Sequence, residues 1–230
     1  MTWLSNSSVG RKVVMSVTGA ALVLFLLFHA TMNVVAIFSG DAYNAICKFL
    51  GANWYALVGT LGLGFLVVVH IIYAFILSVQ NYRARGKERY AVTDRQKDVE
   101  WASKNMLVLG IIVVCFIFLH LYNFWAKMQL VELQHMAGCA VNTSLAQNGV
   151  YHIQQLFSSP VYSIVYLVWL AALWFHLTHG IWSAMHTLGW NNNIWMARWK
   201  CIAKIVATLI VLMFAAVVVC FAFGIAPICA

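Results

Sequence analysis

Long apolar stretches alternate with short polar ones along the 230 residues. Five of the apolar stretches approach or exceed the ~20 residues that an α-helix needs to cross a hydrocarbon core. They cover about 12–38, 56–82, 104–127, 160–188 and 202–225. The first is long, and no small-residue cleavage pattern closes it, so it reads as a spanning helix and not as a cleavable signal peptide. The longest connection, 128–159, contains the polar stretch "GCAVNTSLAQNGVYHIQQ" and reads as a short cap loop on the outer face. No internal repeat, low-complexity segment or soluble domain interrupts the pattern. The expectation is an all-α integral membrane protein, with residues 1–230 forming a single membrane domain built as a five-transmembrane-helix bundle.

Composition agrees. Hydrophobic residues make up 63% of the chain and charged residues 9%, against roughly 25% charged in a soluble domain. The net charge of +8 brings nucleic acid to mind, but its placement argues against that. Arg11 and Lys12 precede the first helix. Arg83, Arg85, Lys87, Arg89, Arg95, Lys97 and Lys104 occupy the second loop, and Arg198, Lys200 and Lys204 lie between the fourth and fifth helices. Only Lys48 and Lys127 fall on the other side. Such asymmetry places the N-terminus in the cytoplasm and the C-terminus outside. The basic loops suit orientation and attraction to anionic membrane lipid, and are equally compatible with docking a cytoplasmic partner.

Candidate chemistry comes from histidine. His29, His70, His120 and His176 each sit well inside a different expected span, in "LFLLFHATMN", "FLVVVHIIYA", "FIFLHLYNFW" and "LWFHLTHGIW". A histidine at membrane depth costs free energy unless its nitrogen is used. One such residue is explained by a hydrogen bond to a neighbouring helix, but four in four of five helices strain that account. His29 follows Arg11 by 18 residues and His120 follows Lys104 by 16. At the helical rise both lie roughly 24–27 Å from the inner basic residues, in the outer half. His70 precedes Arg83 by 13 residues, about 20 Å, and His176 precedes the "WNNN" turn by about the same distance. The depths therefore sort them into an outer pair, His29 with His120, and an inner pair, His70 with His176. Two bis-histidine sites stacked across a bilayer are what two b-type haems require.

Other metals fit less well. Zinc takes three or four clustered ligands, usually with cysteine or carboxylate, and the histidine boxes of a membrane di-iron oxygenase are absent. No Asp or Glu lies mid-helix, which disfavours a carboxylate-driven pump or transporter. Small residues, Gly19, Gly59, Gly62, Gly64, Gly110 and Gly180, permit close helix approach and would leave room for a porphyrin. The six cysteines show no metal-site spacing. Cys115 and Cys220 read as small apolar helix residues, while Cys47, Cys139 and Cys229 fall on the outer side, where a disulfide is chemically permitted. His179 lies three residues after His176, only about 60° around the helix, so geometry alone does not choose between them.

The segments "SSVGRKVVMSVTGAALVLFLLFHATMN", "HLYNFWAKM" and "FHLTHGIWSAMHTLGW" resemble the cytochrome b558 family. These are the single-chain, five-helix, di-haem membrane anchors of bacterial succinate dehydrogenases and quinol:fumarate reductases. The resemblance covers essentially the whole chain. It implies one haem ligand on each of the first four helices, in the outer and inner pairing given above. The family's fourth ligand opens a pattern of His, three variable residues, Gly, an aliphatic and an aromatic residue. Here that is His176, "LTH", Gly180, Ile181 and Trp182, so the resemblance selects His176 and leaves His179 to face a haem edge, a propionate or another helix. Some fumarate reductases of this architecture carry an acidic residue two positions before the fourth ligand. Here that position is Trp174, which removes a carboxylate-based proton route.

The resemblance further implies a multi-pass protein of the bacterial cytoplasmic (inner) membrane, carrying two haem b. It would anchor a flavoprotein subunit and an iron–sulfur subunit on the cytoplasmic side and pass electrons between them and a membrane quinone, menaquinone being expected. No dicarboxylate site is expected in this chain, and a dimer of the whole complex is compatible with it. The competing expectations are a di-haem anchor of nitrate reductase, formate dehydrogenase or hydrogenase, and, from another class, a histidine-lined transporter. Asp41, Tyr43, Lys48, Trp125 and Glu132 lie near the expected outer surface, where interface anchoring explains the aromatics as well as a quinone site does. Solvated loop positions account for the others.

Overall fold

The computed structural model describes residues 7–51, 53–84 and 100–226. Arg85, Lys87, Arg89, Arg95, Lys97 and Cys229 lie outside these described residues. Within them every regular element is helical, and five helices are long and apolar enough to cross a membrane.

Helix α1 is Ser8–Phe38, and the Ser7 hydroxyl caps it by accepting from the Gly10 N–H at 2.9 Å. Arg11 and Lys12 therefore belong to its first turns and do not precede it. The apolar run begins later than the helix because α1 projects a charged collar beyond its membrane-compatible part. A short helix α2, Gly40–Phe49, follows at once, with Ser39 as the shared boundary residue. Its hydroxyl accepts from Ala42 N–H at 3.2 Å, a side-chain cap that satisfies one of the free donors of the first turn.

Helix α3 is Trp54–Ala84, and a single helical turn, α4 (Trp101–Lys104), leads into α5, Met106–His120. The third span then continues as a π-helical turn, Leu121–Trp125. The connection 128–159 is not a plain loop. It holds α6, Gln129–Met136, and α7, Gly149–Phe157, whose apolar side is buried at Val150, Ile153, Leu156 and Phe157. Amphipathic spacing in α7 supplies that face, and the Asn148 side chain caps it by accepting from the Tyr151 N–H at 3.0 Å.

The last two spans are α8, Pro160–Thr187, and α9, Trp195–Ala222. Pro160 at the first position suits α8, since its missing N–H would have had no helical partner. Gly189, at φ +83°, closes α8: its N–H bonds His186 O at 3.2 Å and the Trp190 N–H bonds Met185 O at 3.0 Å. That left-handed geometry favours glycine. Helix α9 starts several residues earlier than its apolar run. The Asn192 side chain accepts from the N–H groups of Ile194 and Trp195 at 2.9 and 2.8 Å, and Lys200 and Lys204 ride in the polar first turns.

The packing has a centre and a periphery. Helix α9 lies along α8, and α1 packs against α3, α8 and α9. Ala30, Ala36, Ala203 and Ala207 are completely buried, so small side chains let these helices approach closely, as packing in lipid requires. The Trp174 indole of α8 donates to Thr208 Oγ1 of α9 at 2.9 Å, a tie across the same seam. Helix α5 packs on α8. Helix α3 has α1 as its one extensive partner among the described residues, and none of its residues is buried.

Candidate functional site

Four helices deliver the four histidines. Toward the end of the bundle that carries α2, α6 and α7 (the cap end), His29 of α1 meets His120 at the last turn of α5. Their ring centroids are 5.9 Å apart and the ring planes stand at 87°. Aromatic rings wall this pair: Phe25 stacks on His29 at 5.4 Å and Phe214 of α9 lies at 5.6 Å. Phe124, Trp169 and Tyr166 lie 5.2, 5.8 and 6.5 Å from His120. Asn33, one turn after His29, donates through Nδ2 to the His29 carbonyl at 2.8 Å, and the same nitrogen lies 3.4 Å from His29 Nδ1. The Tyr43 hydroxyl of α2 donates to Asn33 Oδ1 at 3.0 Å. A chain of polar contacts thus reaches His29 from the cap.

At the other depth, α3 carries His70 and α8 carries His176. Thr18 Oγ1 of α1 lies 3.1 Å from His70 Nδ1. Two glycines lie beside this pair. A Cβ on Gly19 would stand 3.2 Å from His70 Cε1, and one on Gly110 would stand 3.8 Å from His176 Cε1. Gly180 lies beside Met106, whereas Gly59, Gly62 and Gly64 face nothing within 4 Å. The close approach expected of all six glycines is therefore limited to three, because α3 turns its glycines away from its one partner.

These residues fit the haem expectation on two observations. With metal–imidazole bonds of about 2 Å, an iron held between two rings sets their centroids about 6 Å apart, and the His29–His120 separation matches. At the inner pair, His176 Nδ1 is buried and has no hydrogen-bond partner. A buried ring nitrogen left so is costly unless something else engages it.

His179 lies in a different setting. Its ring meets Trp182 edge-on at 4.9 Å, and the Trp182 indole donates to Glu100 Oε2 at 3.3 Å. Lys200 of α9 lies 3.7 Å from Glu100 Oε1 and 5.0 Å over the Trp182 ring. His179 thus faces a charged group at the basic end, linking α4, α8 and α9. Its Nδ1 is also buried without a partner. The ion pair is half-exposed and contributes at most about 1 kcal/mol.

Of the residues expected near the outer surface, Asp41 and Lys48 are exposed, but Tyr43 and Glu132 are buried, at 8% and 7% exposure. Glu132 is not a solvated loop residue: α6 carries it against Gly51, where an added Cβ would collide with its carboxylate. Its Oε2 has no hydrogen-bond partner. The neighbouring Gln129 accepts from Trp125 Nε1 at 2.8 Å and Thr60 Oγ1 at 3.0 Å, and donates to Gly51 O at 3.1 Å. Gln129 thereby ties the π-helical turn to α3. Burial pushes the Tyr43 hydroxyl well above its ordinary pKa, reinforced by Cys47. Burial also pushes the Cys47 thiol up to about 11, with a Tyr43 hydrogen bond opposing and Glu132 reinforcing. Among the described residues Cys47, Cys115, Cys139, Cys201 and Cys220 are free thiols.

Sequence reasoning missed Thr18, Asn33, Asn123 and Tyr166. Asn33 had a signal, one helical turn from His29. Asn123 had none, since only the π-helical turn sets its direction: it is buried and donates through Nδ2 to the Tyr166 hydroxyl at 3.1 Å. Comparison of the chain with family models, curated proteins and solved structures gave no match.

Proposed function

We propose that this chain is the di-haem cytochrome b subunit of a succinate:quinone oxidoreductase, a succinate dehydrogenase or quinol:fumarate reductase of a bacterial inner membrane. The observation that carries the electron-transfer part is the meeting of His29 and His120 at 5.9 Å, with a second pair, His70 and His176, at another depth. The choice of this complex over other di-haem anchors rests on the motif resemblance and on one ligand per helix over four helices.

His29 and His120 would hold one haem and His70 and His176 the other. When bound, the two groups supply one-electron carriers that divide a hydrocarbon core of about 30 Å. With two imidazoles to hold each iron, the bound groups would suit electron transfer and not oxygen binding. Asn33 Nδ2 lies 3.4 Å from His29 Nδ1 and Thr18 Oγ1 lies 3.1 Å from His70 Nδ1. Such contacts around a ligand would tune its basicity and hold its ring. The aromatic wall excludes water from the cap-end pair. Trp174, tied to Thr208, occupies the position where some relatives of the resembled family carry a carboxylate, so this chain offers no acid there for moving protons. The basic end, with Arg11, Lys12, Lys104, Arg198, Lys200 and Lys204, is the cytoplasmic face in this reading and receives the flavoprotein and iron–sulfur subunits. The cap end faces outward, toward the quinone.

The test is a pyridine haemochrome assay on the purified chain, with two b haems per chain expected. One or none would sink the reading, and a protein without haem bands would return the transporter. Co-purification with a flavin-containing succinate-oxidising subunit separates this complex from the other di-haem anchors.

A further inference from the structure

The basic end of the bundle gathers three tryptophans where α8 turns into α9. Trp199 donates its indole N–H to the Trp190 carbonyl, which holds its ring beside the other two. The Trp190 ring lies 6.5 Å from it at 30°, and the Trp195 ring lies 5.9 Å from it at 35°. With Gly189, Asn191 and Asn192 these rings line a cavity of about 280 Å³. Asn192 Oδ1 accepts from two backbone N–H groups at the start of α9, so its Nδ2 is left as a donor at the rim. Trp190 and Trp195 are exposed. Amphipathic rings in such positions suit the level at which hydrocarbon meets lipid headgroups.

A cation stands over this cluster. The Arg198 guanidinium lies 5.1 Å over the Trp195 ring, a contact that positions the group and leaves its charge intact. Lys200 is paired with Glu100, whereas among the described residues Arg198 and Lys204 have no acidic partner. Arg198 also heads an apolar strip. Ile205, Leu209 and Leu212 follow it by 7, 11 and 14 positions, which puts them within about 40° of its side of the helix. All three are exposed. From Arg198 to Leu212 the helix rises about 21 Å, more than half of a hydrocarbon core of about 30 Å. The strip is therefore long enough for an acyl chain of one leaflet.

We infer that this corner binds one anionic phospholipid of the leaflet at the basic end. The planar guanidinium of Arg198 receives the phosphate through paired hydrogen bonds, and Lys204 adds to the local positive field. Asn192 Nδ2 offers a further donor to the headgroup, the indole rings flank it, and an acyl chain lies along Ile205, Leu209 and Leu212. A lipid meets both the cavity and the strip. A soluble protein seated on the end of the bundle reaches the cavity but not the strip, which runs into hydrocarbon. The flavoprotein and iron–sulfur subunits proposed above would cover the end and leave this flank to lipid. Nothing in the site depends on haem, so a chain without haem leaves it intact.

Native mass spectrometry of the detergent-purified full chain tests it, with dioleoylphosphatidylglycerol and dioleoylphosphatidylcholine titrated in turn. The first phosphatidylglycerol should bind at least about tenfold more tightly than phosphatidylcholine, and Arg198→Gln should remove that preference, the loss of a charge-assisted hydrogen bond. Lys127→Gln, a cation lost at the opposite end, should bind as the parent does. Equal retention of the two lipids by the parent overturns the inference, as does parental binding in Arg198→Gln or an equal loss in Lys127→Gln. An Arg198→Gln chain that keeps phosphatidylglycerol but no longer co-purifies with a flavin-containing subunit assigns the corner to a protein partner, and also overturns it. Should Arg198→Gln fail to fold, Arg198→Lys and Trp195→Leu decide: weaker phosphatidylglycerol binding in either supports the site, and parental binding in both overturns it.

Discussion

His29 and His120 meet edge to face, 5.9 Å between ring centroids, although 90 positions separate them in the chain. If each pair holds one iron, His29→Ala and His120→Ala should remove the same haem signal, and the double variant should lose no more than either single one. His70→Ala and His176→Ala should remove the other. Redox titration of the visible spectrum counts these components. Loss of a shared component from the His29 and His176 variants would refute the pairing.

His176 and His179 both carry a buried Nδ1 without a partner, but their surroundings differ. His176→Ala should leave the inner iron high-spin or remove it, and assembly with partner subunits should suffer. His179→Ala should keep two low-spin haems, with at most a shifted midpoint potential, since it touches Trp182 beside the Glu100–Lys200 pair. Electron paramagnetic resonance on both variants reads the outcome. An inner low-spin signal that vanishes in the His179 variant and persists in the His176 variant would reverse the assignment.

Gly19 and Gly59 give opposite expectations for the addition of a side chain. A Cβ at Gly19 stands 3.2 Å from His70 Cε1, tighter than ordinary contact, so Gly19→Val should displace the ring and lower inner haem content. Gly59 has open space, and Gly59→Ala should keep both haems while gaining up to about 1 kcal/mol of helix propensity. Haem content and thermal unfolding of the two variants check this. Equal loss from both would remove the special role of Gly19.

Cys47 should resist alkylation at pH 8 while exposed Cys139 reacts. The folded-state pKa of Cys47 is raised from an ordinary value near 9 to about 11, so the native thiol stays protonated where an unfolded one begins to ionise. Its contribution to stability is therefore full below about pH 9 and declines as pH rises through about 11. Mass spectrometry after iodoacetamide treatment reads the first effect, and Cys47→Ser with a flatter alkaline unfolding profile reads the second. Gly149→Ala should disrupt the same corner, because an added Cβ would press on Cys47 Sγ and lie 2.7 Å from Tyr43 Cε1.

The five spans were legible because bilayer thickness sets a length that the apolar runs display openly. Their ends were less so. Arg11 and Lys200 lie inside helices whose polar turns project beyond the apolar stretch, and the caps at Ser7 and Asn192 override hydropathy. Residues 128–159 are too short and too polar to announce α6 and α7. The pairing of His29 with His120 followed from counting residues along helices of alternating direction. Glu132 did not follow: its burial depends on α6 folding back over Gly51, a long-range fact with no local trace. The direction of Asn123 depends on a π-helical register that no periodicity reveals.

Among the described residues helix α3 has α1 as its one extensive partner, with Thr60 bonded to Gln129, and it brings one member of a pair whose other member is on α8. In the language of construction, α1, α8 and α9 form the frame and α3 is a door hung on one post. A ligand that bridges His70 and His176, as proposed, would act as the latch. Ligand that binds only the closed arrangement stabilises it by mass action, so filling this one site should decide how firmly a whole spanning helix is seated. Biogenesis would then have a built-in checkpoint: a chain that fails to acquire its inner occupant keeps an unlatched helix, open to membrane proteases that sample the bilayer.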